Sequence, residues 1–272
     1  MEIIRVNDTH DTRVQMFTEL NETQLLHYYE PHGGLFVAES PLVIGRALEK
    51  GYEPVSFFLE EKFIDGEEGK EFVESIGRYD VPVYVAPRVT MNEITGYNIT
   101  RGALCAFMRR DHEPAETFLK RYKKVAVLED VMNPTNVGAI FRSAAALGAE
   151  AIVLTEACAD PLYRRSARVS MGTAFTLPYT YFDEGSDYIS LLKSCDFTTV
   201  CMALKDDAVP LYDTCLKHHD RLAVIFGTES TGIKGSTLKA TDFTAVIPMQ
   251  NGVDSLNVAA ASAVTFFELF SK

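Results

Sequence analysis

The sequence predicts an α/β protein in two parts, a smaller mixed layer over residues 1–115 and a parallel sheet covered by helices over residues 116–272. Three observations predict it. In the second half, the apolar segments VAVLED, AIVLT, TTVCMAL, RLAVIFG and FTAVIPM alternate with the helical patterns GAIFRSAAALGA, SDYISLLKS and VAAASAVTFFELF. Strands that are nearly continuous in apolar residues belong to parallel sheets with both faces covered. In the first half, shorter strand patterns surround one helical pattern. Finally, 272 residues, 47% of them hydrophobic and 24% charged, suit two medium globular domains.

Taken in order, GLFVAES reads as a strand, SPLVIGRALEKG as a helix ending at a glycine, and VSFFLEE, VPVYVAP and GALCAFMR as strands. The polar stretch HEPAETFLKRYKK then leads into the second part, so the boundary is expected near residue 115. No catalytic spacing occurs before it. The expected role of this part is substrate presentation, with a purely structural appendage as the ordinary alternative.

Composition excludes several classes. No apolar run approaches the roughly 20 residues of a membrane helix, and MEIIRVNDTHDTRV has neither the apolar core nor the cleavage pattern of a signal peptide. A cytoplasmic protein is expected. Cys105, Cys158, Cys195, Cys201 and Cys215 form no CxxC and no Cys/His spacing suited to a metal, and are read as reduced core or near-core residues. His218 and His219 lie in a polar turn, so no metal is expected.

The net charge of −12 is unevenly distributed. Residues 1–119 carry 11 Lys and Arg against 21 Asp and Glu, a net of −10, and residues 120–272 carry 15 against 17, a net of −2. Such a chain has no global field for a polyanion, so nucleic-acid binding must rest on local patches. Candidates are Arg109 with Arg110, the cluster Lys120, Arg121, Lys123 and Lys124, and the group Arg164, Arg165 and Arg168. Each taken singly is more often a solvated face.

The second part lacks GxGxxG after a strand, lacks GxxxxGK[ST] and lacks a GxSxG elbow, which argues against a dinucleotide oxidoreductase, a P-loop NTPase and an α/β hydrolase. Three strand-to-loop junctions instead share one design. In NPTNVGAIFRS, Pro134 and Asn136 are read as a turn, Gly138 as a close backbone approach, and Arg142 as an arginine in the first helical turns that can clamp a phosphate or hold an oxyanion. In FGTESTG, Gly227 and Gly232 bracket the lone carboxylate of Glu229. In QNGVDSLN, Ser255 and Asn257 stand before a small-residue helix. Each loop alone has an ordinary reading, as N-cap, turn or structural carboxylate.

Together and in this order, the loops resemble the three motifs of the SpoU/TrmH-type RNA ribose methyltransferases of the SPOUT superfamily. NPTNVGAIFRSAAALGA resembles the first, FGTESTGI the second and IPMQNGVDSLNVAAASA the third, with compatible spacing over residues 124–272, and RRSARVSMGTAF resembles a further stretch between the first two. More weakly, GLFVAESPLVIGRALEKG and ITRGALCAF resemble the small ribosomal-protein-like α/β domain that many members carry for RNA binding.

The resemblance implies S-adenosylmethionine as methyl donor and a ribose 2′-hydroxyl in rRNA or tRNA as acceptor, on a homodimeric parallel-sheet domain with a trefoil knot. Asn136, Arg142, Glu229, Ser255 and Asn257 fall on its catalytic positions, with Arg142 placed to position or deprotonate the hydroxyl. A guanidinium is too weak a base for that unless its surroundings tune it. Gly227, Ile247, Met249 and Leu256 fall on positions that hold the cofactor, and Leu204 is expected to join them. Arg168 and Ser170 are expected to contact RNA, with the Lys120–Lys124 cluster second. In the usual third motif the glycine follows Met by two positions, where this chain has Asn251 and then Gly252. The alternatives are a methyltransferase of the same fold acting on a base nitrogen, and a non-catalytic RNA-binding or ribosome-assembly protein on the same scaffold.

Overall fold

A computed structural model describes residues 2–8, 10–17, 21–29, 33–67, 69–96, 98–99, 101–205, 207–229 and 231–271. The chain divides into two compact units, Met1–Asp111 with Leu162–Phe175, and His112–Pro161 with Thr176–Lys272. The expected division had a single boundary. The difference is the stretch from Leu162 to Phe175, which leaves the second half of the chain to join the first unit.

The first unit is built on strands β1 (Ile3–Arg5), β2 (Leu35–Glu39), β3 (Pro54–Glu60), β4 (Val83–Ala86) and β5 (Ala103–Met108). Among the described residues they form one sheet in the order β1-β4-β3-β5-β2, with β5 antiparallel to both neighbours and the other pairs parallel. Every residue of β2 is buried. The helix Pro41–Glu49 begins where the sequence signals it, with Pro41 in the first turn and the Ser40 hydroxyl accepting the Val43 N–H. The joining segment carries the helix Arg164–Val169 and seats the Phe175 ring 5.5 Å from that of Phe36.

The second unit holds β6 (Lys124–Leu128), β7 (Ala151–Leu154), β8 (Tyr179–Tyr181), β9 (Thr198–Met202), β10 (Val209–Pro210), β11 (Leu222–Phe226) and β12 (Phe243–Val246). These form a wholly parallel sheet in the order β10-β12-β9-β11-β6-β7-β8. The chain leaves β6 towards β7 and leaves β11 towards β12, on opposite sides. Neighbours whose connections diverge open a crevice beyond their carboxyl ends, where open α/β sheets bind ligands.

Two helices border that crevice. The helix Pro134–Ala146 starts four residues before the Gly138 expected to lead it. Asn133 is its cap, accepting the Thr135 N–H at 2.9 Å, so Pro134 and Asn136 belong to the first turn rather than to a preceding loop. The last helix, Val258–Leu269, packs along it. Phe266 anchors the last helix, with its ring 5.4 Å from Phe226 on β11 and 5.5 Å from Phe270. Among the described residues no helix is long and apolar enough to cross a membrane.

Phe266 is fully buried, so Phe266→Ala leaves a cavity between the last helix and the sheet. A loss of about 3–5 kcal/mol in unfolding free energy is expected by urea denaturation.

Candidate active site

The trio of Asn136, Glu229 and Asn257 is brought together from three separate segments. Asn136, 6% exposed, faces inward from the first turn of its helix. Glu229 stands at the tip of the loop after β11. That loop is closed by paired backbone bonds between Thr228 and Gly232, at 3.2 and 3.1 Å, and by the Thr228 and Thr231 hydroxyls 2.8 Å apart. Gly227 is dictated by the closure, because a Cβ there would sit 2.5 Å from the Gly232 backbone. Asn257 caps the last helix, its Oδ1 accepting the Ala259 N–H at 2.9 Å. Its Nδ2 donates to Asn136 Oδ1 at 3.3 Å and to Glu229 Oε1. The capping reading and the site reading of Asn257 therefore hold at once.

Glu229 and Asn257 of this trio line a cavity of about 500 Å³, and Asn136 is tied to it through Asn257. Gly227, Leu204, Ile247, Met249 and Leu256 all line it, with Glu229, Ser255 and Asn257. Leu204 and Leu256 present 59% and 39% of their surface, apolar groups in the same lining as amide, hydroxyl and carboxylate groups. The volume and the mixture are those of a small-molecule site. The third-motif loop turns between Gln250 and Val253, whose N–H donates to Gln250 O at 3.2 Å, with φ of +57° at Asn251 and +72° at Gly252. Two left-handed positions in succession favour Asn-Gly, which accounts for the displaced glycine.

Arg142 does not join this group. It lies six residues beyond Asn136 on the same helix, roughly 240° around its axis, and is exposed. Among the described residues no hydrogen bond or ion pair links it to the trio. Ser170 also departs from expectation. It is fully buried, donating to Ala167 O at 2.9 Å and accepting the Gly172 N–H at 3.2 Å, so its hydroxyl braces a turn and faces no solvent. Arg168 stands 3.6 Å from the buried Glu39 with about half of its side chain exposed. The Lys120–Lys124 cluster is matched within the chain: Lys120 by Glu116 at 2.8 Å, Arg121 by Glu113, Lys123 by Asp220 at 2.7 Å, and Lys124 by Phe270 O at 2.8 Å. Four of the cysteines are buried and Cys215 is exposed, against the expectation that all would be core or near-core.

Two residues that the motifs passed over bond to the segment after the second-motif loop, Glu129 to Lys234 N–H and Asp130 to Lys234 Nζ. Glu129 and Asp130 follow β6 directly, as Glu229 follows β11 closely, and a carboxylate immediately past a buried strand was the signal available in VAVLED. Burial alone would raise the Asp130 carboxyl, yet Lys234 Nζ at 2.7 Å and the Thr155 hydroxyl hold it below the usual carboxylate value.

Comparison with known proteins places this architecture. The model of the SpoU rRNA Methylase family matches residues 123–267. The chain belongs to the SpoU rRNA methylase family. Among its relatives, an uncharacterized tRNA/rRNA methyltransferase of Mycobacterium bovis is 33% identical over 98% of this chain and 92% of its own length. The 23S rRNA (guanosine(2553)-2'-O)-methyltransferase of Bacillus subtilis is 30% identical over 58% of this chain and 62% of its own. In fold, this SpoU family member is similar to the AdoMet-bound rRNA methyltransferase of Sinorhizobium meliloti, with a TM-score of 0.81 and 23% identity over 98% of this chain and 97% of the other.

Asp130 titrates lower in the folded chain than in the unfolded one. The stability it contributes is therefore complete above the unfolded value of about 4 and is lost as pH falls through the lowered folded value. Urea unfolding across that acid range should show a weaker pH dependence for Asp130→Asn than for the native chain, with lower stability at neutral pH.

Proposed function

We propose that this protein is an S-adenosylmethionine-dependent methyltransferase that modifies the ribose 2′-hydroxyl of a nucleotide in ribosomal or transfer RNA. The observation that carries the reading is that Asn257, bonded to both Asn136 and Glu229, stands with Glu229 in the cavity lined by Leu204, Ile247, Met249 and Leu256. Family membership and relatives named as 23S rRNA 2'-O-methyltransferases support it. When bound, S-adenosylmethionine supplies an electrophilic methyl group on a sulfonium. Leu204, Leu256 and the Gly227 and Ile247–Met249 segments would hold the cofactor. Asn257 fixes the Glu229 carboxylate against the first-motif helix. Ser255 orients groups at the mouth, and Arg142 positions the ribose hydroxyl and assists loss of its proton.

Arg142 faces away from the trio in its own chain, so the complete site takes Arg142 from a second copy in a homodimer. Support comes from the exposed face of the last helix, where Ala260, Val264 and Phe267 recur at helical spacing and Phe267 is 66% exposed. We further propose that the second unit is knotted. The chain reaches β12 beyond β9 and then returns to pack its last helix on Pro134–Ala146, past the loop holding Glu229. The first unit serves as an RNA-presenting domain with Arg168 on its surface, and the protein works in the cytoplasm.

The test is transfer of labelled methyl from S-adenosylmethionine to RNA from cells lacking the protein, with digestion to identify 2′-O-methyl nucleosides. Arg142→Ala and Asn257→Ala alone should each lose about 10²-fold or more. Equal mixing after subunit exchange should restore up to about a quarter of native activity, since half the dimers then hold one complete site. No labelled nucleoside with the native protein would reject the activity, and no recovery on mixing would place Arg142 in its own subunit's site.

A further inference from the structure

The segment Ile233–Ala240 is a partition between two cavities of the second unit. Ile233 and Leu238 face the cavity described above, and Lys234, Ser236, Thr237 and Ala240 line another of about 560 Å³. Ile233 and Leu238 tie the segment into an apolar core cluster of the unit. Its helix, Gly235–Ala240, has six residues and no side-chain cap. A helix this short does not hold its own position in water, and close packing on both faces is what normally fixes one.

Here the fixing is done by a carboxylate. Glu129, 1% exposed, lies just past β6 with its N–H bonded to Phe226 O at 2.8 Å. Its Oε1 accepts the backbone N–H of Lys234 at 2.6 Å. Its Oε2 accepts the Thr237 hydroxyl at 2.6 Å and the Tyr188 hydroxyl. Tyr188 is itself fixed by its ring, stacked 4.8 Å from Phe182, and burial first and the Glu129 bond second push its phenol well above the usual value. Beside this set, Lys234 Nζ pairs with Asp130. Burying a charge is unfavourable unless donors surround it. Two of the three donors here belong to the partition, and they lie between the two residues that face the active-site cavity, each next to one of them.

We infer that Glu129 is a positioning residue for the cofactor cavity, setting the depth of Ile233 and Leu238 through Lys234 N–H and the Thr237 hydroxyl. The inference rests on the proposed reading of that cavity as the S-adenosylmethionine site. Glu129 touches no reacting group and acts only through the wall.

Three readouts on the full-length native protein and Glu129→Gln test it: amide hydrogen exchange, calorimetric binding of S-adenosylhomocysteine, and steady-state kinetics in the donor. Exchange at residues 233–238 should accelerate at least tenfold while β6, β9 and β11 keep their native rates. The dissociation constant and the donor KM should rise about tenfold, with kcat within about twofold. Tyr188→Phe, which leaves the carboxylate two of its donors, should give the same pattern in smaller measure and serves if Glu129→Gln does not fold. Unchanged exchange at 233–238, or equal acceleration throughout the sheet, would overturn the inference. Failure of the native protein to bind S-adenosylhomocysteine would instead overturn the reading of the cavity, while exchange still decides whether Glu129 fixes the wall.

Discussion

The side-chain amide of Asn257 is the constraint on which the site depends. Its oxygen accepts one bond and its nitrogen donates two, each to a different segment: the last helix through Ala259, the first-motif helix through Asn136, and the loop after β11 through Glu229. These segments lie far apart in sequence and meet only because β11 is inserted between β9 and β6. Capping a helix and building a cavity lip are here one event. The last helix cannot slide along Pro134–Ala146 without withdrawing the group that holds Glu229, so the packing of Phe266 on Phe226 bears on the chemistry as well as on stability.

Two carboxylates past neighbouring parallel strands have opposite environments. Glu129, after β6, is enclosed and satisfied by three donors. Glu229, after β11, stands exposed at a loop tip and accepts from Asn257. The difference follows from what lies beyond each strand. The chain after β6 runs under the partition Ile233–Ala240, whereas the chain after β11 is folded back on itself by the Thr228–Gly232 bridge and held out at the cavity mouth. A buried, saturated carboxylate suits fixing geometry, and an exposed one with spare lone pairs suits meeting a ligand.

The parallel sheet was legible in the sequence because its central strands are continuous in apolar residues: VAVL, AIVL and LAVIF all lie within observed strands. Strands β1, β8 and β10 were not, being two or three residues long at sheet edges or next to them, too short for a periodic pattern. Gly227, Ile247, Met249 and Leu256 were legible as cavity-lining residues through motif resemblance and Leu204 as the end of an earlier strand, since all five meet at one place. The helix start was misplaced because Asn133-Pro134 and Pro134-Asn136 read equally as turn or cap, and only the Thr135 N–H bond distinguishes them. Ser170 illustrates a different limit. Its type and neighbours match an exposed basic stretch, but burial is decided by the unit that RRSARVSMGTAF joins, which a linear pattern does not contain.

Charge is what remains to be reconciled with an RNA substrate. The basic cluster nearest the sheet is already matched, Lys120 by Glu116, Arg121 by Glu113 and Lys123 by Asp220, and the chain carries a net −12. Exposed pairs of this kind are worth at most about 1 kcal/mol, so a phosphate displaces the carboxylate at small cost. The gain is equally small, because the displaced carboxylate stays nearby and repels the same phosphate. Affinity on such a surface therefore falls to groups that no carboxylate shadows. Arg142 is one of them, exposed and without an ion pair among the described residues. An exposed residue free to meet a phosphate is thus also the one that the proposed dimer would turn towards a second copy of the chain. On the proposed dimer, substrate binding and completion of the site then require the same surface.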